Sequence, residues 1–397
     1  VIQNGRLPLI AYMSTYVPKK CGLATYTHHL RNAVAAAKGD SIPDPDPVIA
    51  MCLEEERKDY DAPWTWPLIK SDPGDYRRLA ERVNQSPVDI VSLQHEFGIF
   101  GGEAGRNVLE FLERIEKPVV TTFHTVFEQR VEPYASVQAE IARRSRHVLV
   151  MNRKAIGYLH DCFGISPDKI TFIPHGAPVP NRYLRDATRR RLGWDNRKVL
   201  FTFGLLSRSK GIEFALRAVA GAAAAIPDLL YVIAGATHPE VRRNEGEAYR
   251  EQLMELIREL GLTHHVQMID RYIPEDDLAA LITSSDLYLT PYPGMQQITS
   301  GTLAYAAGLG RPILSTPYCY ARDLVQGHEE MLLPFGDSAA WGAKMIELFA
   351  YPGMLERWER IMTEIGRTMH WPQVGAQHLQ LFERLASPEQ VGIVDVG

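Results

Sequence analysis

The chain has 397 residues, of which 45% are hydrophobic and 23% charged, with a formal net charge of −5. That length suits two ordinary domains, and that balance belongs to a globular chain rather than a disordered one. No stretch concentrates Lys and Arg as a nucleic-acid groove requires, so nucleic acid is excluded as a partner.

In chain order, Leu7–Met13 is apolar but too short to cross a bilayer, and it lacks the charged head and small-residue cleavage pattern of an export signal. No strongly basic amphipathic stretch argues for peripheral membrane contact, which the sequence leaves open. Cys21, Cys52, Cys162 and Cys319 are scattered, with neither metal spacing nor a disulfide framework, and point to a reducing cytoplasm.

Apolar β-rich runs at Leu9–Met13, Val48–Cys52, Ile90–Gln94, Val119–Phe123, His147–Met151 and Ile170–Pro174 read as strands. They alternate with helical patterns at Thr25–Ala37, Asp75–Gln85, Gly105–Glu113 and Arg153–Cys162, the alternation of a parallel α/β sheet. The boundary segment Ala177–Gly193 follows, its triplet Arg189, Arg190, Arg191 reading as the solvated start of a helix. The pattern then restarts with strand Lys198–Phe203 and helix Ile212–Ala225. Short strands follow at Leu230–Ala234, Val266–Ile269, Leu287–Thr290 and Pro312–Ser315. Helices Trp358–His370 and Val374–Leu385 close the chain, separated by Trp371-Pro372, where proline restricts its predecessor. The expectation is two Rossmann-like α/β domains facing across a cleft.

Polar residues gather after the strands. Phe203–Gly211 is a strand, tight turn and helix start, with Lys210 and Arg208 able to offset the charge of a diphosphate. A solvated basic loop is the plain alternative. Pro291–Thr302 ends a strand and opens a helix, presenting free amides and the small polar groups of Ser300 and Thr302 to phosphate or sugar oxygens, or simply capping that helix. Lys19–Thr25 places Gly22 where a ligand can approach backbone, though a turn without ligand contacts fits as well. His95 and Glu96 stand at a strand end before glycines and read as a sugar-facing loop; Glu96 alternatively orients His95 or caps Gly98. His124 in Thr121–Thr125 and His175 in Pro174–Pro178 are further strand-end histidines, with backbone-bonded structural roles as the alternative. Their spacing matches no zinc motif, so no protein-bound metal is expected.

Taken together, Lys20–Gly22, Thr121–Thr125, Ile173–Gly176, Gly204–Gly211, Pro291–Pro312 and the Trp371 region resemble glycosyltransferase family 4, the retaining transferases of GT-B fold. The strings at His95–Gly102, Gly235–Glu240 and Ser300–Ala306 resemble one subgroup in particular. The resemblance implies a GT-B fold with a C-terminal crossover helix. Residues 1–180 plus 373–397 would form the acceptor-side domain, and 181–372 the nucleotide-sugar domain. It implies transfer of a hexosyl group from a nucleotide diphosphate sugar to a hydroxyl-bearing acceptor, with no further cofactor. GDP-mannose is favoured over UDP-glucose, and neither acceptor nor oligomeric state is implied.

Carried over residue by residue, the resemblance makes His124, Lys210 and Gln297 catalytic. Gly22, Arg208, Lys210, Gln297, Ile298, Thr299, Ser300, Gly301, Thr302 and Tyr305 would bind the donor, and His95, Glu96 and His175 would face sugar or acceptor. Gln297 and Tyr305 stand where the family carries two glutamates, and Leu205 where it carries an arginine. These departures keep a catalytically degenerate sugar-nucleotide scaffold as an alternative. A sugar phosphorylase of the same architecture is the other.

Overall fold

A computed structural model describes residues 6–39, 45–181 and 183–386. Two compact units emerge, the first from Val1–Pro174 with Trp371–Gly397, the second from His175–His370; 387–397 lie outside the described residues. The boundaries thus precede the expected 180 and 372, for a local reason. Ala177 already donates its N–H to the Met369 carbonyl at 2.8 Å inside the second unit.

The first unit is built on β1 (Ile10–Ser14), β2 (Val48–Cys52), β3 (Thr65–Ile69), β4 (Ile90–His95), β5 (Val119–Phe123), β6 (His147–Val150) and β7 (Ile170–Phe172). They form one seven-stranded sheet in the order β3-β2-β1-β4-β5-β6-β7, every pairing parallel. β1, β2, β4 and β5 are buried throughout, and a parallel sheet covered on both faces demands such near-continuous apolar runs. β3 is not among the expected strands. Pro67 sits in it at the sheet edge, where a missing N–H is tolerated. The aromatic residues there pack rather than stand open: Arg31 covers Trp64 and Arg82 covers Trp66, each guanidinium 4.2 Å from the ring centroid.

Helix Gly22–Lys38 follows β1, and its last residue is anchored in the interior. Lys38 Nζ bonds both Asp46 carboxylate oxygens at 2.7 Å, while Asp46 Oδ1 also accepts the Ile10 N–H at 2.9 Å. Burial lowers the Lys38 pKa, the Asp46 carboxylate working against that. Helix Trp371–Ala386 returns to this unit and packs along Gly22–Lys38. It starts earlier than Val374 because Pro372 lies in the first turn, where no intrahelical N–H is needed. A Cβ at Gly375 would stand 2.5 Å from the Ala33 carbonyl, so the crossing depends on a residue without one.

The second unit carries β8 (Lys198–Phe203), β9 (Leu229–Ala234), β10 (Val266–Ile269), β11 (Leu287–Thr290) and β12 (Ile313–Ser315) in the parallel order β10-β9-β8-β11-β12. The arginine triplet ends a helix, Leu184–Leu192, instead of starting one. Positive side chains near a helix C-terminus complement its carbonyls, and Arg189 further donates to the Ser284 and Trp194 carbonyls at 2.8 and 2.9 Å. Among the described residues, no helix is long and apolar enough to cross a membrane.

Candidate functional site

Open parallel sheets take ligands outside the carboxyl ends of their strands, where strand order reverses. In the second unit that switch lies between β8 and β11, and the loops following these two strands carry most of the expected donor-binding residues.

After β8 the chain turns at Gly204. Gly235, following β9, packs against it: with φ 141°, a Cβ there would lie 2.1 Å from the Gly204 carbonyl oxygen. This contact holds the β8 loop low and leaves Lys210 beside it. Lys210 Nζ lies 3.2 Å from Tyr292 Oη and 4.5 Å from that ring's centroid. Tyr292 Oη meets Thr302 Oγ1 at 2.7 Å, and Thr302 Oγ1 meets Ser300 Oγ at 3.2 Å. Ser300 caps helix Gly301–Gly308, accepting the Leu303 N–H at 3.3 Å. A cation, three hydroxyls and the electropositive end of a helix therefore converge, which is the chemistry of an anion site. Among the described residues no carboxylate pairs with Lys210.

Arg208 differs. It is exposed, donates to Gln252 Oε1 at 2.9 Å, lies 3.5 Å from Glu245 Oε2 and stands 5.0 Å from the Tyr249 ring centroid. Its charge is already met by a carboxylate. Gln297 folds onto its own loop, donating from Nε2 to the Thr299 carbonyl at 2.9 Å, while its backbone carbonyl accepts the Tyr320 N–H at 3.0 Å. Ile298 is buried. Tyr305 is also buried and donates to Glu275 Oε1 at 2.9 Å. The carboxylate at this point therefore comes from helix Glu275–Ser284 and not from position 305. His175 Nδ1 is 2.7 Å from the Gly176 carbonyl, which can only accept, so Nδ1 carries the proton. Its Nε2 faces Gly301, 3.2 Å from where a Cβ would stand.

In the first unit the switch lies between β1 and β4. Gly22 is exposed at the first position of its helix, with nothing within 4 Å of a would-be Cβ, and Cys21 Sγ caps the turn from 3.4 Å. His124, half-buried after β5, lies edge-on to Tyr26 of that helix, ring centroids 4.9 Å apart. His124 Nε2 is 2.9 Å from Gln94 Oε1.

His95 is not in a sugar-facing loop. It is wholly buried, with Phe97, Phe100 and Phe123 around it at centroid distances of 4.8, 5.6 and 5.3 Å. Neither ring nitrogen has a hydrogen-bond partner, and burial pushes its pKa down to about 3. Side chains alternate along a strand, and His95 at the end of β4 falls on the face opposite Gln94. Glu96 does not bond His95, but it does cap the short turn Phe97–Ile99 that contains Gly98. It accepts the Thr125 hydroxyl at 2.7 Å and the Phe97 N–H at 3.0 Å, and burial raises its pKa against the pull of those two bonds.

Tyr292, Glu275 and Gln94 lie beyond the expected residues. Gln94 alone had a local signal, since Ser92 and Gln94 interrupt an otherwise apolar strand at period two.

Residues 22–199 match the family model Glycosyltransferase Family 4, and residues 185–364 match Glycosyl transferases group 1. A phosphatidyl-myo-inositol mannosyltransferase of Mycobacterium leprae (strain TN) is 25% identical over 288 residues, 68% of either chain. Among solved structures, Anabaena HepE in complex with UDP superposes with a TM-score of 0.75 at 15% identity, over 95% of this chain and 100% of that one. Sucrose-phosphate synthase of Thermosynechococcus elongatus gives 0.70 at 19% identity, over 96% and 99% of the two chains. These structural likenesses bear on the fold. The two family models together cover residues 22 to 364 and support a glycosyltransferase of the family 4 kind, and the chain's two parallel α/β units are those of a GT-B fold.

Proposed function

We propose that the protein transfers a hexosyl group from a nucleotide diphosphate sugar to an acceptor hydroxyl, with retention of anomeric configuration. The observation that carries the donor assignment is the polar chain from Lys210 through Tyr292 and Thr302 to Ser300 at the N-terminus of helix Gly301–Gly308. It suits a diphosphate, whose charge grows as the sugar leaves. Lys210 and the Ser300–Gly301 amides stabilise that leaving group, and Glu275, held by Tyr305, takes the ribose contact. Gly22 lets a phosphate approach backbone, and His124 touches the transferring sugar. Leaving-group phosphate deprotonates the acceptor on the face of departure, so no carboxylate pair of the glycoside-hydrolase kind is needed.

The mannosyltransferase relative supports mannose as the transferred sugar, and GDP as its carrier is our own reading. HepE, whose solved complexes contain UDP and UDP-glucose, makes UDP-glucose the comparator. The test pairs calorimetry of GDP, UDP, GDP-mannose and UDP-glucose with product detection across a panel of simple hydroxyl acceptors. Nucleotide release coupled to a glycosylated product of retained configuration is expected, faster with GDP-mannose. Nucleotide binding with no transfer across the panel would instead favour the scaffold reading that the replaced glutamates, Gln297 and Tyr305, first suggested.

A further inference from the structure

β4 and β5 pair with Gln94 opposite Thr122 and His95 opposite Phe123. Alternation therefore puts Ser92, Gln94, Thr122 and His124 on one face of the sheet, under the helix that carries Tyr26. Gln94 is fully buried there. Its Nε2 lies 3.0 Å from Ser92 Oγ and 3.4 Å from Thr122 Oγ1, and its Oε1 lies 2.9 Å from His124 Nε2. An amide oxygen can only accept, so the imidazole nitrogen facing it must carry a proton. Two further bonds fasten the same strand ends: His124 N–H to the His95 carbonyl at 3.0 Å, and the Thr125 hydroxyl to Glu96 at 2.7 Å.

We infer that Gln94 is a positioning residue that fixes His124 in its Nε2–H form and in one ring orientation for transfer. The inference rests on the reading above for the part His124 plays, but its structural half stands alone. Ser92 and Thr122 hold the amide, the amide holds Nε2, and the Tyr26 ring packs nearly at right angles against the imidazole. Nδ1 is thereby assigned the lone pair, giving His124 an acceptor and not a donor on its other side. In its neutral form such a ring offers an acceptor for a donated hydroxyl and adds no charge.

The test uses the full-length protein and two variants, Gln94→Met, which keeps length but removes the acceptor, and Gln94→Glu, which keeps an acceptor oxygen. Long-range proton–nitrogen NMR of the histidine rings, at about pH 8 and thus above the ordinary histidine range, reports the tautomer, with His124→Ala assigning the signal. Wild type should show His124 protonated on Nε2, Gln94→Met a mixture of tautomers, and Gln94→Glu a proton on Nε2 again. With GDP-mannose or UDP-glucose as donor, Gln94→Met should lower kcat roughly tenfold, the size of one net hydrogen bond. KM should stay within about twofold, since an orienting bond acts on the transition state more than on donor binding. Gln94→Glu should recover most of that kcat. A wild-type His124 protonated on Nδ1 would overturn the assignment, as would a Gln94→Met protein with unchanged tautomer and unchanged kcat. If neither donor is turned over by wild type, the transferase reading falls, while the NMR comparison still decides the role of Gln94.

Discussion

Lys210 and His124 separate two kinds of contribution. Lys210 reaches Tyr292 Oη at 3.2 Å without a carboxylate among its described neighbours, so its positive charge is open to an anion. Lys210→Ala should weaken nucleotide diphosphate binding by about 1.5–3 kcal/mol, the range of a charge-assisted hydrogen bond. Calorimetry with GDP and UDP measures this directly, and equal affinities in folded wild type and variant would remove Lys210 from the donor site. His124 should behave differently. In His124→Ala, kcat should fall while nucleotide affinity stays near wild type, the sign of an interaction made chiefly in the transition state. A parallel loss of nucleotide affinity would mean that His124 organises the binding loop instead.

Elements are held by close approaches as much as by apolar area. Gly375→Ala would place a methyl 2.5 Å from the Ala33 backbone, forcing helices Trp371–Ala386 and Gly22–Lys38 apart. Overpacking of this kind costs about 1–3 kcal/mol, more than the 0.5–1 kcal/mol that alanine returns through helix propensity. A lowered midpoint in urea would report it, and an unchanged one would show that the crossing can open without loss. Most strands were legible because fully buried parallel strands are unbroken apolar runs. β3 was not, since Pro67 interrupts its short apolar run. The candidate site was legible only as strand-end loops. Lys210 and Tyr292 are 82 residues apart, and Tyr305 and Glu275 are 30 apart, so neither partnership falls in any local window. His95 misled for the same reason. Phe123, one wall of its cage, comes from the neighbouring strand and turns a polar strand end into an interior residue.

Across the whole molecule, acid should act first on the unit containing the seven-stranded sheet. Burial holds His95 near pKa 3, and His147 and His378 near 4, and all three belong to that unit. Below about pH 6.5 the unfolded chain takes up protons that these folded histidines refuse, so their contribution is complete above that pH. It is lost as pH falls towards the folded values, by about 1.4 kcal/mol per pH unit for each group within its window. Calorimetric scans between pH 7 and about 4 should therefore show a falling transition, with a shallower slope in His95→Phe. A pH-independent transition over that interval, or an identical slope in the variant, would contradict this origin.

The same unit also poses a problem of timing. Its sheet is built entirely from residues before Pro174, yet one of its packing helices begins at Trp371. During synthesis, domains generally fold as units in order of emergence. Here the second unit, complete at His370, has all its own residues before the first does. Until helix Trp371–Ala386 emerges from the ribosome, the face of Gly22–Lys38 around Ala33 lacks the helix that packs on it. The earlier-made unit must wait for the helix that begins at Trp371, so the emergence of that helix, and not the making of its sheet, closes its core.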